Sequence, residues 1–295
     1  MSASPVLVVG DANLDLILRG DVVPRFGQAE QLLEAADLVL GGSAAIVACG
    51  LARLGVPTRL AAVVGDDEFG RATLAALAAA GVDTSAIRVD PAVPTGISVI
   101  LSAGDRAILT LPGAIPTLRP EDVVLADARW VHVASPFLMP AFTRELPAVL
   151  GRARDAGLGT SLDTNWDPEE RWAQVAPALP LVDVLLPNGA ELAALSAVAD
   201  LPGAGVRVVV KEGAAGGSSI APDGTRVSAP GLALGVVDTT GAGDSFDAGY
   251  LAAVAHGVEE EAERVRWAAV AGSLSTRGPG GTGAQADLDE LRAHA

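Results

Sequence analysis

The chain has 295 residues, a formal net charge of −16, 50% hydrophobic residues and only 3% aromatic residues. This acidity and the shortage of aromatic rings exclude a nucleic-acid surface, which needs a basic face and stacking side chains. The single cysteine, Cys49, excludes an internal disulfide, and neither a signal peptide nor an apolar run of about 18 residues is present, so we expect a cytoplasmic protein without membrane contact.

Short β-branched segments alternate with longer segments of helical period along most of the chain. The predicted strands span residues 6–9, 58–64, 130–134, 159–163, 182–186 and 206–211. The predicted helices span residues 43–54, 68–80, 140–156, 189–197 and 244–255, and the pattern stays helical to the end. This alternation predicts an α/β fold with a doubly wound, mostly parallel sheet.

Segments 15–19, 31–40 and 95–111 break this alternation, because they look like strands without intervening helices. The last of them contains a predicted hairpin around residues 102–105. They predict a small antiparallel sheet that projects from a single domain of residues 1–295. An additional sheet packed on the core is the alternative.

A turn of small residues joins a helix start in the segment Asp238-Thr-Thr-Gly-Ala-Gly-Asp-Ser-Phe246. Gly241, Ala242 and Gly243 let the backbone approach a ligand, and their N–H groups with the helix dipole favour negative charge. Asp244 would repel a phosphate, so its use there is to accept a proton from an attacking hydroxyl. A simple helix N-cap is the alternative for Asp244.

Polar residues follow the first predicted strand at alternate positions. Asp11, Asn13 and Asp15 lie where an open α/β sheet binds ligands, and acceptors at this spacing suit vicinal hydroxyls. Gly41 and Gly42 permit a close backbone approach just before a helix. The alternative for the three polar residues is an Asp/Asn turn motif.

Two further segments follow predicted strands. Asn188 and Glu191 stand three apart at a helix start, where a capping box is the structural alternative to a ligand site. Lys211, the sole lysine, opens a glycine-rich turn for which a generic turn is the alternative. His132 flanks a strand and is interpreted as structural.

Together these segments resemble the ribokinase-like sugar and nucleoside kinases of the phosphofructokinase-B family. The resemblance runs in order from about residue 5 to the C-terminus. Besides the late nonapeptide it is carried by Gly10-Asp-Ala-Asn-Leu-Asp15, Gly41-Gly-Ser-Ala-Ala45, Leu162-Asp-Thr-Asn165, Asn188-Gly-Ala-Glu191 and Lys211-Glu-Gly-Ala-Ala-Gly216. It implies a lid of residues 15–40 and 95–111 over a sugar site, and in many members a dimer through this lid.

The resemblance also implies the ligands, which are ATP, Mg²⁺ and a monovalent cation such as K⁺. Asp244 would be the base, with Gly241, Ala242 and Gly243 stabilising the transferred group. The acceptor would contact Asp11, Asn13, Asp15, Gly41, Gly42, Ser43, Asn165 and Arg106. The nucleotide would contact Asn188, Lys211, Gly213, Gly216 and Thr240. Glu191 would hold Mg²⁺ through water, and Asp238 and Thr240 would hold the monovalent cation opposite carbonyls of residues 271–277. For Arg106 an exposed turn position is equally compatible.

Several residues depart from the family pattern. Ile46 and Ile115 replace asparagines that reach polar substrate groups, Ser43 stands where ribokinase often has Lys, and Asp167 stands where ketodeoxygluconate kinases have Arg. The last two departures remove positive charge, which argues against an anionic acceptor.

We therefore expect an ATP-dependent kinase that phosphorylates a hydroxyl of a small neutral sugar. A nucleoside kinase is the first alternative, because the two isoleucines make room for an apolar ring. A non-catalytic sugar sensor is the second, and the retained Asp244 argues against it.

Overall fold

A computed structural model describes residues 5–27, 30–103 and 105–295, without the side chains of residues 103, 105 and 106. Its main sheet has nine strands in the order β13-β12-β11-β10-β9-β8-β1-β4-β5. The strands are β1 Val6–Val9, β4 Thr58–Gly65, β5 Ile87–Asp90, β8 Trp130–Ala134, β9 Gly159–Asp163, β10 Val184–Leu185, β11 Arg207–Lys211, β12 Gly217–Ile220 and β13 Arg226–Ala229. All neighbours from β11 to β5 pair in parallel, and β12 and β13 are antiparallel additions at one edge.

Both faces of this sheet are covered, as a parallel sheet requires. In β1, Val6 and Val8 join one hydrophobic core while Leu7 and Val9 join the other. The helices that cover the sheet are α1 Ser43–Arg53, α2 Glu68–Ala79, α3 Pro140–Asp155, α4 Gly189–Ser196, α5 Ala242–Ala255, α6 Glu261–Ser275 and α7 Leu288–His294. The predicted doubly wound architecture is confirmed.

A second sheet of four strands, in the order β3-β2-β6-β7, forms the lid. Its strands are β2 Asn13–Gly20, β3 Leu33–Gly41, β6 Ile97–Ala103 and β7 Asp105–Leu111. The β2–β3 and β6–β7 pairs are antiparallel, as predicted, whereas the central β2–β6 pair runs parallel. The tip of the predicted hairpin, residue 104, lies outside the described residues.

The sequence-based boundaries fail mainly where strands are short. The predicted strand 182–186 shrinks to β10, and β5, β12 and β13 were not predicted, because four-residue segments such as Gly217–Ile220 carry no hydrophobic period. Helix α5 begins at Ala242, two residues before the predicted start. Among the described residues, no helix combines the length and apolarity that a bilayer span requires.

Candidate active site

The predicted site residues converge at the edge where the parallel strands end and the next helices begin. Asp163 and Lys211 are the last residues of β9 and β11, and Asp11 follows β1 by two residues. Helices α1, α4 and α5 start at the same edge. This is the position at which open α/β sheets bind ligands.

Helices α1 and α5 bring Ser43 and Asp244 together. The two helices approach closely at Gly50, where an added Cβ would lie 2.7 Å from Cβ of Ala248. The Ser43 hydroxyl donates a hydrogen bond to the Asp244 carboxylate, and both side chains are buried. Helix α5 is capped by Gly241 in the left-handed region at φ 70°, without a side-chain cap. The structure therefore excludes the N-cap interpretation of Asp244.

The surroundings of Asp244 set its protonation. Burial raises the pKa of Asp244 to about 7, against the opposing effects of the Lys211 ammonium and the Ser43 hydrogen bond. The negative charges of Asp163 and Asp11 add to the increase. A carboxylate with this pKa exchanges a proton readily near neutral pH, which is the property of a general base.

Lys211 lies beneath the start of α5 in a buried ionic cluster. Its Nζ donates to Oδ2 of Asp163 at 2.6 Å and to Oδ2 of Asp247 at 2.9 Å. Carboxylate oxygens of Asp163, Asp244 and Asp247 all lie within 4.8 Å of one another. The sequence analysis assigned no role to Asp163 or Asp247, although the spacing of Asp244 and Asp247 on one helix face was a usable signal.

A pocket of about 420 Å³ opens beside Lys211 and fits a nucleotide. Its wall contains Gly213 and Gly216, both at positive φ, and the first residues of α5, Ala242 and Gly243. An added Cβ at Gly216 would lie 2.2 Å from the carbonyl of Ala229, so only glycine fits there. The other lining residues are mostly apolar and comprise Ala214, Leu232, Ala233, Leu234, Val236, Thr239, Phe246, Ala269, Gly272, Ser273 and Thr276.

Asn188 and Glu191 form the capping box that was the structural alternative. The Asn188 side chain accepts hydrogen bonds from the N–H groups of Ala190 and Glu191, and Glu191 Oε2 accepts from Asn188 N at 2.8 Å. Burial and the nearby Asp163 charge raise the pKa of Glu191 to about 7. A buried carboxylate destabilised in this way is compatible with Mg²⁺ nearby, because a divalent cation would supply the compensating charge.

Asp15 lies at the root of the lid, against the backbone of Gly41. An added Cβ at Gly41 would lie 2.1 Å from Asp15 Oδ1, and one at Gly42 would lie 3.0 Å from Asn13 Oδ1. Asn13 Nδ2 donates to Asp15 Oδ1 at 2.9 Å and contacts Ser98 Oγ on β6 at 3.5 Å. The two glycines therefore make room for the polar side chains of β2.

Asp11 is placed differently from the other predicted acceptor ligands. Its Oδ2 accepts from Ser43 N at 3.1 Å and its Oδ1 from Ala44 N at 3.0 Å. Both oxygens therefore bind the first N–H groups of α1. Asp11 orients α1, and through it Ser43, which is a structural contribution to the site.

A second pocket, of about 480 Å³, lies between the lid and the main sheet. Asn165 lines it at a left-handed φ of 50° and accepts hydrogen bonds from Ser135 N and Oγ. The remaining lining residues are Ile108, Thr110, Pro112, Ser135, Phe137, Leu138, Thr164, Trp166 and Pro168. None of these described lining residues is charged, and the side chain of Arg106 lies outside the described part of the chain.

The residues of the predicted monovalent cation site are connected by hydrogen bonds. Asp238 Oδ1 accepts from Thr240 N and Oγ1, and Oδ2 accepts from Gly280 N at 2.9 Å. A guanidinium nitrogen of Arg19 lies 4.0 Å from the same carboxylate. The carbonyl of Thr276, within the predicted opposing segment, accepts from Val237 N and Asp238 N. The assignment of Asp238 and Thr240 to a monovalent cation stays a prediction.

Known proteins of similar sequence identify the family to which this chain belongs. A family model described as pfkB family carbohydrate kinase matches residues 4–287. The chain belongs to this family. The ATP-dependent ribose-1-phosphate kinase of Halopiger xanaduensis is 34% identical over 84% of this chain and 83% of that protein. The fructokinase of Klebsiella pneumoniae is 33% identical over 97% of this chain and 98% of its own length.

Solved structures agree with this family assignment. Arabidopsis thaliana ribokinase complexed with ribose and ATP has a TM-score of 0.83 at 26% identity, over 99% of this chain and 98% of that one. A double mutant of Vibrio cholerae fructokinase, with fructose, ADP and potassium bound, has a TM-score of 0.83 at 27% identity, with the same coverage. The predicted ribokinase-like fold is confirmed, and the activity of this pfkB kinase is the ATP-dependent phosphorylation of a sugar.

Replacement of Asp15 by alanine is expected to weaken acceptor binding selectively. The loss should be about 1.5 to 3 kcal/mol, the usual value of hydrogen bonds to a charged group. The affinity for MgATP should stay nearly constant, because the nucleotide pocket lies elsewhere. Separate titrations of the two ligands test this, and equal weakening of both would point to a folding defect.

Gly41→Ala is expected to weaken acceptor binding as well, because its Cβ would displace the Asp15 carboxylate. Gly151→Ala is the matched control, because an added Cβ at this position in α3 meets nothing within 4 Å. Unchanged acceptor affinity in Gly41→Ala would contradict the placement of Asp15.

Proposed function

We propose that Asp244 is the general base that activates a hydroxyl of a neutral sugar acceptor. The observation that carries this proposal is the hydrogen bond from the Ser43 hydroxyl to a buried carboxylate whose pKa is about 7. Asp244 thus already accepts a hydroxyl hydrogen at the start of a helix that faces the nucleotide pocket. An acceptor hydroxyl would approach the same carboxylate.

In the proposed reaction the acceptor oxygen attacks the γ-phosphorus of ATP while Asp244 takes the hydroxyl proton. The new oxygen–phosphorus bond forms, the bond between the γ-phosphorus and the bridging oxygen breaks, and ADP leaves with those electrons. The N–H groups of residues 241–244 and the dipole of α5 stabilise the charge on the phosphoryl oxygens. Lys211 lines the nucleotide pocket and adds a positive charge. Mg²⁺, when bound near Glu191, would neutralise part of the phosphate charge.

Two residues at positions where the family often has a basic side chain support a neutral acceptor. Asp167, at the position of a family arginine, turns inward and accepts from the N–H groups of Glu169 and Arg171. Ser43, at the position of a family lysine, is bonded to Asp244. Neither residue offers a cation to a phosphate or carboxylate group.

One observation favours a nucleoside as the second candidate acceptor. Phe137 and Trp166 line the pocket, and Trp172 holds both in edge-to-face contacts at centroid distances of 5.3 and 5.2 Å. Trp166 is 53% exposed, so its ring is available to a ligand. A base attached to ribose would bury such a surface.

We further propose that residues 1–295 act as one cytoplasmic unit and that two copies pair through their lids. The outer face of the lid exposes Leu38, Leu109 and Leu111, each by more than half. Apolar surface of this kind supports association of two lids.

Asp244→Asn is expected to reduce kcat by at least about 10²-fold, the range of general base catalysis. The amide keeps the shape and still accepts from Ser43, so the melting temperature and the affinity for MgADP should remain close to those of the parent. Steady-state kinetics with a melting curve test this. A variant that retains most of its turnover would refute the role of Asp244.

The activity should also show an acid limb close to pH 7. Asp244 must be ionised to accept a proton, and burial raises its pKa to about 7. Below that pH, kcat/KM for the acceptor should fall about tenfold per pH unit as the carboxylate becomes protonated. A pH profile that is flat from pH 5 to 8 would contradict this assignment.

An ATP-consumption screen should find neutral acceptors ahead of anionic ones. Ribose, fructose and nucleosides represent the neutral class, and ribose 1-phosphate, fructose 6-phosphate and ketodeoxygluconate the anionic class. The absence of charged side chains among the described lining residues of the second pocket is the reason for this order. A higher kcat/KM for any anionic acceptor than for every neutral one would overturn the prediction.

A further inference from the structure

A second carboxyl group lies one turn beyond Asp244 on α5. Asp247 is fully buried, and its Oδ2 accepts from Lys211 Nζ at 2.9 Å. Its Oδ1 is buried without a hydrogen-bond partner among the described residues. Asp247 has no role in the proposed reaction, although a carboxylate oxygen of Asp247 lies within 4.8 Å of one of Asp244, the proposed base.

The charges around Asp247 do not balance if every acid is ionised. Among the described residues, the charged groups that face it are Asp244 on α5, Asp163 on β9 and the cation Lys211 on β11. Three further titratable groups lie behind them. Glu191 on α4 interacts with Asp163 and Lys211. Asp11 after β1 interacts with Asp244, and His132 on β8 interacts with Asp163. Burial lowers the pKa of His132 to about 4, so this ring adds no positive charge at neutral pH.

One ammonium group cannot compensate this many buried anions, because an unpaired charge removed from water is strongly destabilised. At least one acid that contacts Lys211 should therefore hold a proton. The two candidates are Asp163 and Asp247, since both bind the same Nζ and both are fully buried.

The hydrogen bonds distinguish these two acids. Asp163 accepts from Asn165 N at 3.1 Å and Asn165 Nδ2 at 3.3 Å, in addition to Lys211 Nζ at 2.6 Å. Donors to both oxygens stabilise the ionised form. Asp247 has the longer bond to Lys211 and one bare oxygen, which is the environment of the neutral form.

We propose that Asp247 carries a proton in the folded enzyme and, hydrogen-bonded as a neutral acid to Asp163, clamps the Lys211 ammonium beside Asp244. The group Asp163, Lys211 and Asp247 is then neutral as a whole. Asp247 is a positioning residue, and its proton prevents a second negative charge next to the phosphates. The effect of Asp247 on catalysis rests on the proposed function of Asp244, whereas the protonation of Asp247 does not depend on that function.

The ionisation preferences agree with this arrangement. Burial, reinforced by the charge of Asp163, raises the pKa of Asp247 well above its ordinary value. Burial also opposes ionisation of Asp163, but Lys211 and the hydrogen bonds from Asp247 and Asn165 outweigh it and lower the pKa of Asp163.

The first test measures stability and does not involve activity. Parent and Asp247→Asn are unfolded in urea at pH 5, 6, 7 and 8. The native parent holds a proton that its unfolded chain, with an ordinary Asp pKa near 3.8, has released. The folding constant of the parent relative to the variant should therefore fall about tenfold per pH unit, until the pH reaches the native pKa of Asp247. A flat ratio would overturn the proposal.

Asp163→Asn is the matched comparison, because it makes the same change at the other acid on Lys211. Asp163 is ionised in both folded and unfolded chains above pH 5, so its own titration adds no slope. The ratio of the folding constants of the parent and this variant should therefore change by no more than the roughly tenfold that a one-unit shift in the pKa of Asp244 produces. Asp183→Asn, at the opposite edge of the sheet where Asp183 binds Thr160, controls for the substitution itself. If Asp163→Asn does not fold, the slope of Asp247→Asn still decides the question.

The second test uses the acid limb of kcat/KM. Asp247→Asn exchanges one neutral group for another and should leave the limb at the parental pH. Asp163→Asn removes a negative charge that raises the pKa of Asp244, so its limb should move down by about one pH unit. A downward shift in Asp247→Asn would show that Asp247 is ionised and overturn the proposal. If Asp244 is not the base, the kcat/KM profile of the parent will lack the acid limb. The pH dependence of the folding constant will then be unaffected.

Discussion

The active site depends on one buried ammonium group. Lys211 is the only lysine of the chain, and its Nζ contacts two carboxyl groups that are fully excluded from water. Without this cation, the ends of β9 and α5 would bring uncompensated negative charges together at the point where triphosphate must bind. The lysine side chain passes directly beneath the first turn of α5, where an added Cβ at Gly243 would be in van der Waals contact with Lys211 Cδ at 3.4 Å. Lys211 thus connects the ends of β9 and β11 with the first turns of α5 and lies beside Asp244, the proposed base.

The sequence was sufficient for those features that rest on local chemistry. Gly41, Gly42, Gly213 and Gly216 were recognised because few other residues permit such close approaches or positive φ values. The alternation of strand and helix predicted the doubly wound sheet, and the order of the motifs predicted the kinase family. These signals depend on residue type and short spacing, which a single sequence contains.

Other features depend on contacts between distant segments and could not be predicted in this way. Asp11 and α1 are 32 residues apart, and nothing in the sequence shows that both oxygens of Asp11 bind the start of that helix. Asp163 and Asp247 acquire their importance only when β9, β11 and α5 meet at Lys211. The parallel pairing of β2 with β6 likewise joins segments that are more than 80 residues apart. Such pairings are set by the packing of the whole fold.

The β2–β3 ribbon of the lid links the proposed acceptor site to the orientation of the lid. Strand β2 begins at Asn13 and β3 ends at Gly41, and these two residues are paired, with Asp15 opposite Val39 one step further along. Asn13 and Asp15, the proposed acceptor ligands, thus lie at the base of the β2–β3 ribbon, and β3 also contacts Gly280 through Val39. A tilt of this ribbon would displace Asp15 and the backbone before α1, whereas the proposed nucleotide pocket is lined by residues from β11 onwards. No residue of β2 or β3 lines the proposed nucleotide pocket. On the proposed function, a changed tilt of this ribbon therefore alters acceptor preference without altering that pocket, so that substrate range and phosphate chemistry evolve separately.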